Sequence, residues 1–182
     1  ARTDQQGAPF AMTNRTSAVP TDPGPIVDVA TGEPLPPLLQ DLAARARSAQ
    51  ALAYAPYSKF PVGAALLASD GRVFVGANIE NASYGLTVCA ERTAMYQAVL
   101  AGARQVTAIA ICTNLSPPAA PCGMCRQTLA EFAEEAQIVL LSPSGPAQLT
   151  KLSTLLPQAF RPSALIRTAP SAHNEDDHRE RQ

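Results

Sequence analysis

Two segments in the second half of the chain, Val106–Thr113 (VTAIAICT) and Gln137–Leu141 (QIVLL), are apolar almost without a break. Runs this short and this rich in β-branched residues read as strands, and a strand that is apolar at successive positions is buried on both faces. A sheet built around such strands needs covers packed on its faces. The rest of the chain supplies them. Leu38, Leu42, Ala46 and Ala49 recur at helical spacing, which predicts a helix across 38–53. Val62–Ala68 runs into Ser69-Asp70-Gly71, a hairpin signal, and Arg72–Ala77 returns as its partner. Residues 89–102 read as a helix closed by Gly102 in a left-handed cap, and 123–135 as another with Leu129 and Phe132 on one side. Leu149–Leu156 reads as a last short helix ending before Pro157. A hairpin followed by helix–strand–helix–strand makes an α/β sheet with helices on its faces.

The ends read differently. Of the 17 prolines, seven fall within residues 1–37, with three glycines and no apolar period, so this stretch is expected to be a flexible extension. The polar run SAHNEDDHRERQ marks a tail, and residues 38–167 are left as one domain, with 168–182 as the tail. Hydrophobic residues make up 46% of the chain, enough for a real core. Formal net charge is −1, from 14 Lys+Arg against 15 Asp+Glu. A protein living on nucleic-acid backbone should carry surplus base, because its affinity comes from counterion release, so a nucleic-acid partner is not expected. No apolar stretch approaches the roughly 18 residues that span a bilayer, and the opening ARTDQQGAPF has no apolar signal core. A cytoplasmic setting with reduced thiols is therefore expected, which favours metal binding or catalysis for clustered cysteines.

Three of the four cysteines are clustered in this way. Cys89 opens C-A-E-R-T-A, and Cys122 and Cys125 form P-C-G-M-C. A lone C-x-x-C is a weak signal, but both segments lie where strand or loop gives way to a helix. Unpaired N–H groups and the positive helix end favour thiolate there. Three thiolates at two helix N-termini suit zinc. The only histidines, His173 and His178, are in the polar tail, and Cys112 lies on a strand expected to be buried. A site with three protein ligands and one open position, the catalytic pattern, is thus expected rather than a closed structural one. Glu91, two residues after Cys89, can face the same site from the first helical turn without being a ligand, as proton transfer to an activated water requires. Taken alone, a first-turn Glu commonly just complements the helix dipole. Arg92 next to it can moderate the negative charge of three thiolates by donating to sulfur.

C-A-E-R-T-A followed by P-C-G-M-C-R-Q resembles the zinc signature of cytidine deaminases, specifically the small three-cysteine homotetrameric class. Further segments carry the likeness. Tyr57-Ser58-Lys59-Phe60-Pro61-Val62-Gly63 resembles a substrate-stacking segment, Gly76-Ala77-Asn78-Ile79-Glu80-Asn81-Ala82-Ser83-Tyr84 a ribose-binding one, and Leu155-Leu156-Pro157-Gln158-Ala159-Phe160 the C-terminal one. The resemblance implies a three-layer α/β/α sandwich around a mixed sheet of about five strands. It implies one Zn²⁺ per chain on Cys89, Cys122 and Cys125, with Glu91 as acid and base and Arg92 beside the sulfurs. It implies that Asn78 and Glu80 bind the ribose 3′-hydroxyl, that Phe60 packs on the pyrimidine, and that Ala90 and Tyr84 join the substrate-binding set. Phe160 is expected to reach a neighbouring subunit's site. Ala120 departs from the Ser or Thr that relatives often have before Pro121-Cys122, which should matter little because the backbone carbonyl is what the family uses there.

The activity so implied is hydrolytic deamination of cytidine and 2′-deoxycytidine in pyrimidine salvage. Two alternatives stand beside it: deamination of a nucleoside antibiotic of the blasticidin S type, and a non-enzymatic zinc-stabilised interaction module. The N-I-E-N-A segment and Arg92-Thr93-Ala94 favour the nucleoside enzyme over the antibiotic one, and a ligand count would separate enzyme from module. A polynucleotide-editing relative would normally place histidine where Cys89 stands.

Overall fold

A computed structural model describes residues 25–165 of the chain. Helix α1 spans Pro37–Gln50 and is followed by the hairpin of strands β1 (Gly63–Ala68) and β2 (Val73–Ala77). Helix α2 (Ala90–Leu100) leads into β3 (Val106–Cys112), and helix α3 (Gly123–Ala130) into β4 (Gln137–Leu141). Strand β5 (Gln148–Lys151) and a single helical turn, α4 (Leu152–Leu155), complete the domain.

The five strands form one sheet in the order β2-β1-β3-β4-β5. Strands β3 and β4 are parallel, Ile109 opposite Ile138 and Ile111 opposite Leu140, and every other pairing is antiparallel. Helix α1 covers one face through Leu39, Leu42, Ala43 and Ala46, which meet Ala65, Leu67, Ala110 and Cys112. The other face, including Leu66, Ile109, Ile111 and Leu140, packs against Met95 of α2 and Leu129 of α3. This is the three-layer sandwich with a mixed sheet that was expected. The side-chain alternation of a strand explains why β3 is apolar from Ala108 to Cys112, since alternate positions there feed different cores. Each fully buried Leu or Ile contributes about 1.5–3 kcal/mol.

Two glycines let the helices approach. A Cβ on Gly63 would lie 2.2 Å from the Ala46 carbonyl oxygen of α1, and one on Gly76 would lie 2.4 Å from the Ala90 carbonyl oxygen of α2. Each helix therefore rests its backbone on a strand, on opposite faces. Gly71, with φ 87°, makes the hairpin turn, and Gly102, with φ 85°, ends α2 as expected.

Several details differ from the sequence reading. The buried stripe of α1 includes Leu42, Ala46 and Ala49 as expected, but in its first turn Leu39 is buried and Leu38 is exposed. Helix α3 ends at Ala130, and turns carry the chain over 131–136. The segment expected as a helix from Leu149 starts as an edge strand, in which Val139 faces Leu149, and only then makes one helical turn. The boundary at residue 37 also moves. Ile26 and Leu35 belong to the core under α1, and Val27 and Val29 exchange backbone hydrogen bonds with Ala147 at 2.7–2.8 Å. Residues 25–36 are part of the packed domain, and residues 1–24 and the tail 168–182 lie outside the described residues. Among the described residues no helix is long and apolar enough to cross a membrane.

Candidate active site

Chemistry gathers on the α2/α3 face, where two helices begin side by side. Cys89 and Cys122 are the N-cap residues of α2 and α3, and neither uses its side chain to cap its helix. Cys125 lies in the first turn of α3, fully buried. The three Sγ atoms all lie within 4.8 Å of one another, with 3.9 Å between Cys89 and Cys122. Among the described residues this is the one group of three Cys, His, Asp or Glu side chains arranged to hold a metal ion. Three sulfur donors on a small triangle, backed by helix N-termini that favour anions, fit a tetrahedral thiophilic cation with one position left open. His173 and His178 lie outside the described residues.

The electrostatics favour thiolate at Cys89. A hydrogen bond from Cys125 holds the Cys89 thiol well below its ordinary range, with help from Arg92 and Cys122. The same contact keeps the proton on Cys125. Arg92 Nη2 donates to the Thr87 carbonyl at 2.9 Å and lies 3.8 Å from Cys89 Sγ. Its Nε is buried without a hydrogen-bond partner among the described residues.

Cys112 stands apart. It points to the α1 side of the sheet, fully buried, and burial pushes its thiol up to about 11. It is a core thiol whose nearest polar partner is Gln50 Oε1 at 3.6 Å.

Glu91 is 4% exposed at the start of α2. Burial raises its carboxyl above the usual carboxylate range, and the Cys89 charge adds to this. A carboxyl buried beside a sulfur cluster is placed to exchange protons with a group bound there. Ala90 beside it is fully buried and forms the contact with Gly76.

The segments expected to hold substrate are tied to the cysteines by backbone. Ile79 pairs on one side with Tyr54 and on the other with Val88, the residue before Cys89. Asn78 and Glu80, flanking Ile79, are thereby fixed relative to α2. The buried Asn78 amide accepts from the Val62 N–H at 2.8 Å and donates to the Phe60 carbonyl at 2.9 Å. Glu80 accepts the Ser58 hydroxyl and the N–H groups of Tyr57 and Ser58, and the hydroxyl is the main reason its carboxyl sits below the usual range. Phe60 is half-buried between these anchors. Tyr84 is exposed and packs its ring against Tyr57, with centroids 5.9 Å apart.

Phe160 is also exposed, but its backbone is not free. Gln127 Nε2 donates to the Phe160 carbonyl at 2.7 Å, and Gln127 Oε1 accepts from the Phe160 N–H at 3.2 Å. Arg126 donates to the carbonyls of Pro121 at 2.7 Å and Leu155 at 2.8 Å. Neither residue was singled out from sequence. Both directly follow Cys125 in the cysteine motif, which was the available signal.

Comparison with known proteins bears on this site. Residues 38–141 match the family described as the cytidine and deoxycytidylate deaminase zinc-binding region. The chain is 47% identical over 123 residues to a cytidine deaminase of Sporosarcina psychrophila, covering 67% of this chain and 90% of that protein. It is 53% identical over 109 residues to one of Halalkalibacterium halodurans, covering 59% and 83%. A crystal structure of cytidine deaminase from Burkholderia pseudomallei superposes with a TM-score of 0.64 at 48% identity, covering 66% of this chain and 97% of that one.

Proposed function

The chain belongs to the cytidine and deoxycytidylate deaminase family of zinc-binding proteins, and we propose that it hydrolyses cytidine and 2′-deoxycytidine to uridine and 2′-deoxyuridine with release of ammonia. One observation carries this above all: three converging cysteine sulfurs with a buried carboxyl, Glu91, two residues from the first of them. The donor set fits zinc, which when bound supplies Lewis-acid activation of the attacking water. Glu91 takes one proton from that water and places it on the pyrimidine N3, then takes the second from the new C4 hydroxyl and passes it to the departing amine. The C4–O bond forms, the C4–N bond breaks, and the carboxyl ends as it began. Arg92 offsets the charge of the sulfurs.

Phe60 packs on the base, and Asn78 and Glu80 take the ribose 3′-hydroxyl, with Ala90 and Tyr84 completing the pocket. Phe160 caps the base in a neighbouring subunit, so the working unit is a homotetramer with shared sites. Support for assembly comes from large apolar side chains left exposed on the single chain, among them Leu86, Leu100, Met124 and Phe160, each at least 60% exposed. Pyrimidine salvage in the cytoplasm suits a protein whose cysteines are all free thiols. The relatives matched above are cytidine deaminases, which favours nucleoside over antibiotic as substrate.

The test is ultraviolet absorbance of cytidine and 2′-deoxycytidine incubated with the protein. The expected result is conversion to the uracil spectrum, abolished by a zinc chelator and restored by zinc. Conversion of blasticidin S with both nucleosides untouched would select the antibiotic reading instead.

A further inference from the structure

The segment between Tyr57 and Val62 has no helix or strand, and Lys59 within it holds a left-handed φ of 55°. A lysine has no intrinsic reason to sit there, and such a conformation persists only where neighbours over-determine it. Here they do. The Phe60 N–H donates to Ser58 Oγ at 3.0 Å, the Phe60 carbonyl accepts from Asn78, and the Pro61 carbonyl accepts from Gln50 Nε2 at 3.0 Å. Ser58 is the member of this group with two duties. Its hydroxyl has one hydrogen to give and lone pairs to receive. It gives the hydrogen to the Glu80 carboxylate and receives the Phe60 N–H.

We propose that Ser58 is a positioning residue for the reaction: its hydroxyl bridges Glu80 to the peptide of Phe60, so the group that meets the sugar also sets the ring that meets the base. This rests on the roles given above to Glu80 and Phe60. The bond to Glu80 is charge-assisted and so stronger and more directional than a neutral one. Because the hydroxyl is held by a charge, the lone pair it turns toward Phe60 is aimed as well. A sugar hydroxyl arriving at Glu80 meets a carboxylate oriented by this contact and by the two backbone N–H groups of Tyr57 and Ser58. Recognition of the sugar and stacking on the base then depend on one hydroxyl and are not independent increments.

The experiment is steady-state kinetics of the zinc-loaded full chain with cytidine and with 2′,3′-dideoxycytidine, which lacks the 3′-hydroxyl. Ser58→Ala, Ser58→Thr, Phe60→Ala and Glu80→Gln are compared with the wild type. Ser58→Ala is expected to raise KM for cytidine about tenfold, the scale of one hydrogen bond to a charged group. Its kcat, zinc content and Tm should stay near wild type, because the position is exposed. Ser58→Thr keeps the hydroxyl and should keep most of the affinity. The disadvantage of the dideoxy substrate should shrink in Ser58→Ala. An unchanged KM in Ser58→Ala, an equal loss in Ser58→Thr, or an undiminished dideoxy penalty overturns the bridge while Phe60→Ala and Glu80→Gln still impair binding. Loss of zinc or folding in Ser58→Ala also overturns it, by making Ser58 a structural residue. If Phe60→Ala and Glu80→Gln are themselves silent, the substrate-site assignment is what fails, and the bridge falls with it.

Discussion

On one side of the sheet α1 lies along Ala65, Leu67, Ala110 and Cys112; on the other, α2 and α3 lie along Leu66, Ile109, Ile111 and Leu140. The two covers are built alike. Each is apolar, each rests a helix backbone on a strand glycine, and each side includes a fully buried cysteine, Cys112 or Cys125. They differ in which part of the helix meets the protein's working end. Helix α1 offers its flank, and its first turn is entered through Pro36 and Pro37. Helices α2 and α3 bring their N-termini together, each with a cysteine at the cap. A thiol against a helix flank is desolvated and stays protonated, whereas a helix start favours thiolate, as at Cys89, and gathers sulfurs that a cation can bridge. The same residue type is thus inert or reactive according to the helix part it meets.

The comparison can be strained at several points. The largest effect belongs to Glu91→Gln, nearly isosteric and unable to carry a proton. Turnover of cytidine should fall by about 10²–10⁴-fold or more, with zinc content unchanged. Next come the two glycines. Gly63→Ala and Gly76→Ala each force a Cβ into helix backbone and should cost about 1–3 kcal/mol or more in denaturant titration. Only Gly76→Ala should also reduce zinc content, because only α2 starts at the site. Equal zinc loss in both variants would erase the distinction between flank and end. Phe160→Ala should then raise KM about tenfold, on the scale of a stacked base lost from an aromatic ring. Gln127→Ala should do so less, and only where Phe160 is present. Smallest is Cys112→Ala, expected to cost about 1 kcal/mol of stability and no turnover.

Much of this arrangement could be read before any coordinates. β4 was placed residue for residue and β3 to within one, because strands buried on both faces have no polar interruptions. The three-cysteine group was legible because cysteine spacing coincided with two helix starts. Other features left no local trace. β5, with the sequence QLTK, is a polar edge strand whose Leu149 happens to fall at helical spacing with Leu152 of α4. Ile26 and Leu35 lie in a proline-rich stretch with no apolar period, and that stretch is tied to the domain where Val27 and Val29 pair with Ala147 far along the chain. The grips on Phe160 and Glu80 join residues 33 and 22 positions apart, through side chains that look like ordinary surface polar groups.

The distinction between the two faces is tested most directly by zinc analysis of two purified variants, Cys112→Ala and Cys125→Ala, beside the wild type. The account predicts about one zinc per chain in the wild type and in Cys112→Ala, with little or none in Cys125→Ala, following three thiolate ligands plus an open position. Loss of zinc from Cys112→Ala, or full retention by Cys125→Ala, would contradict it.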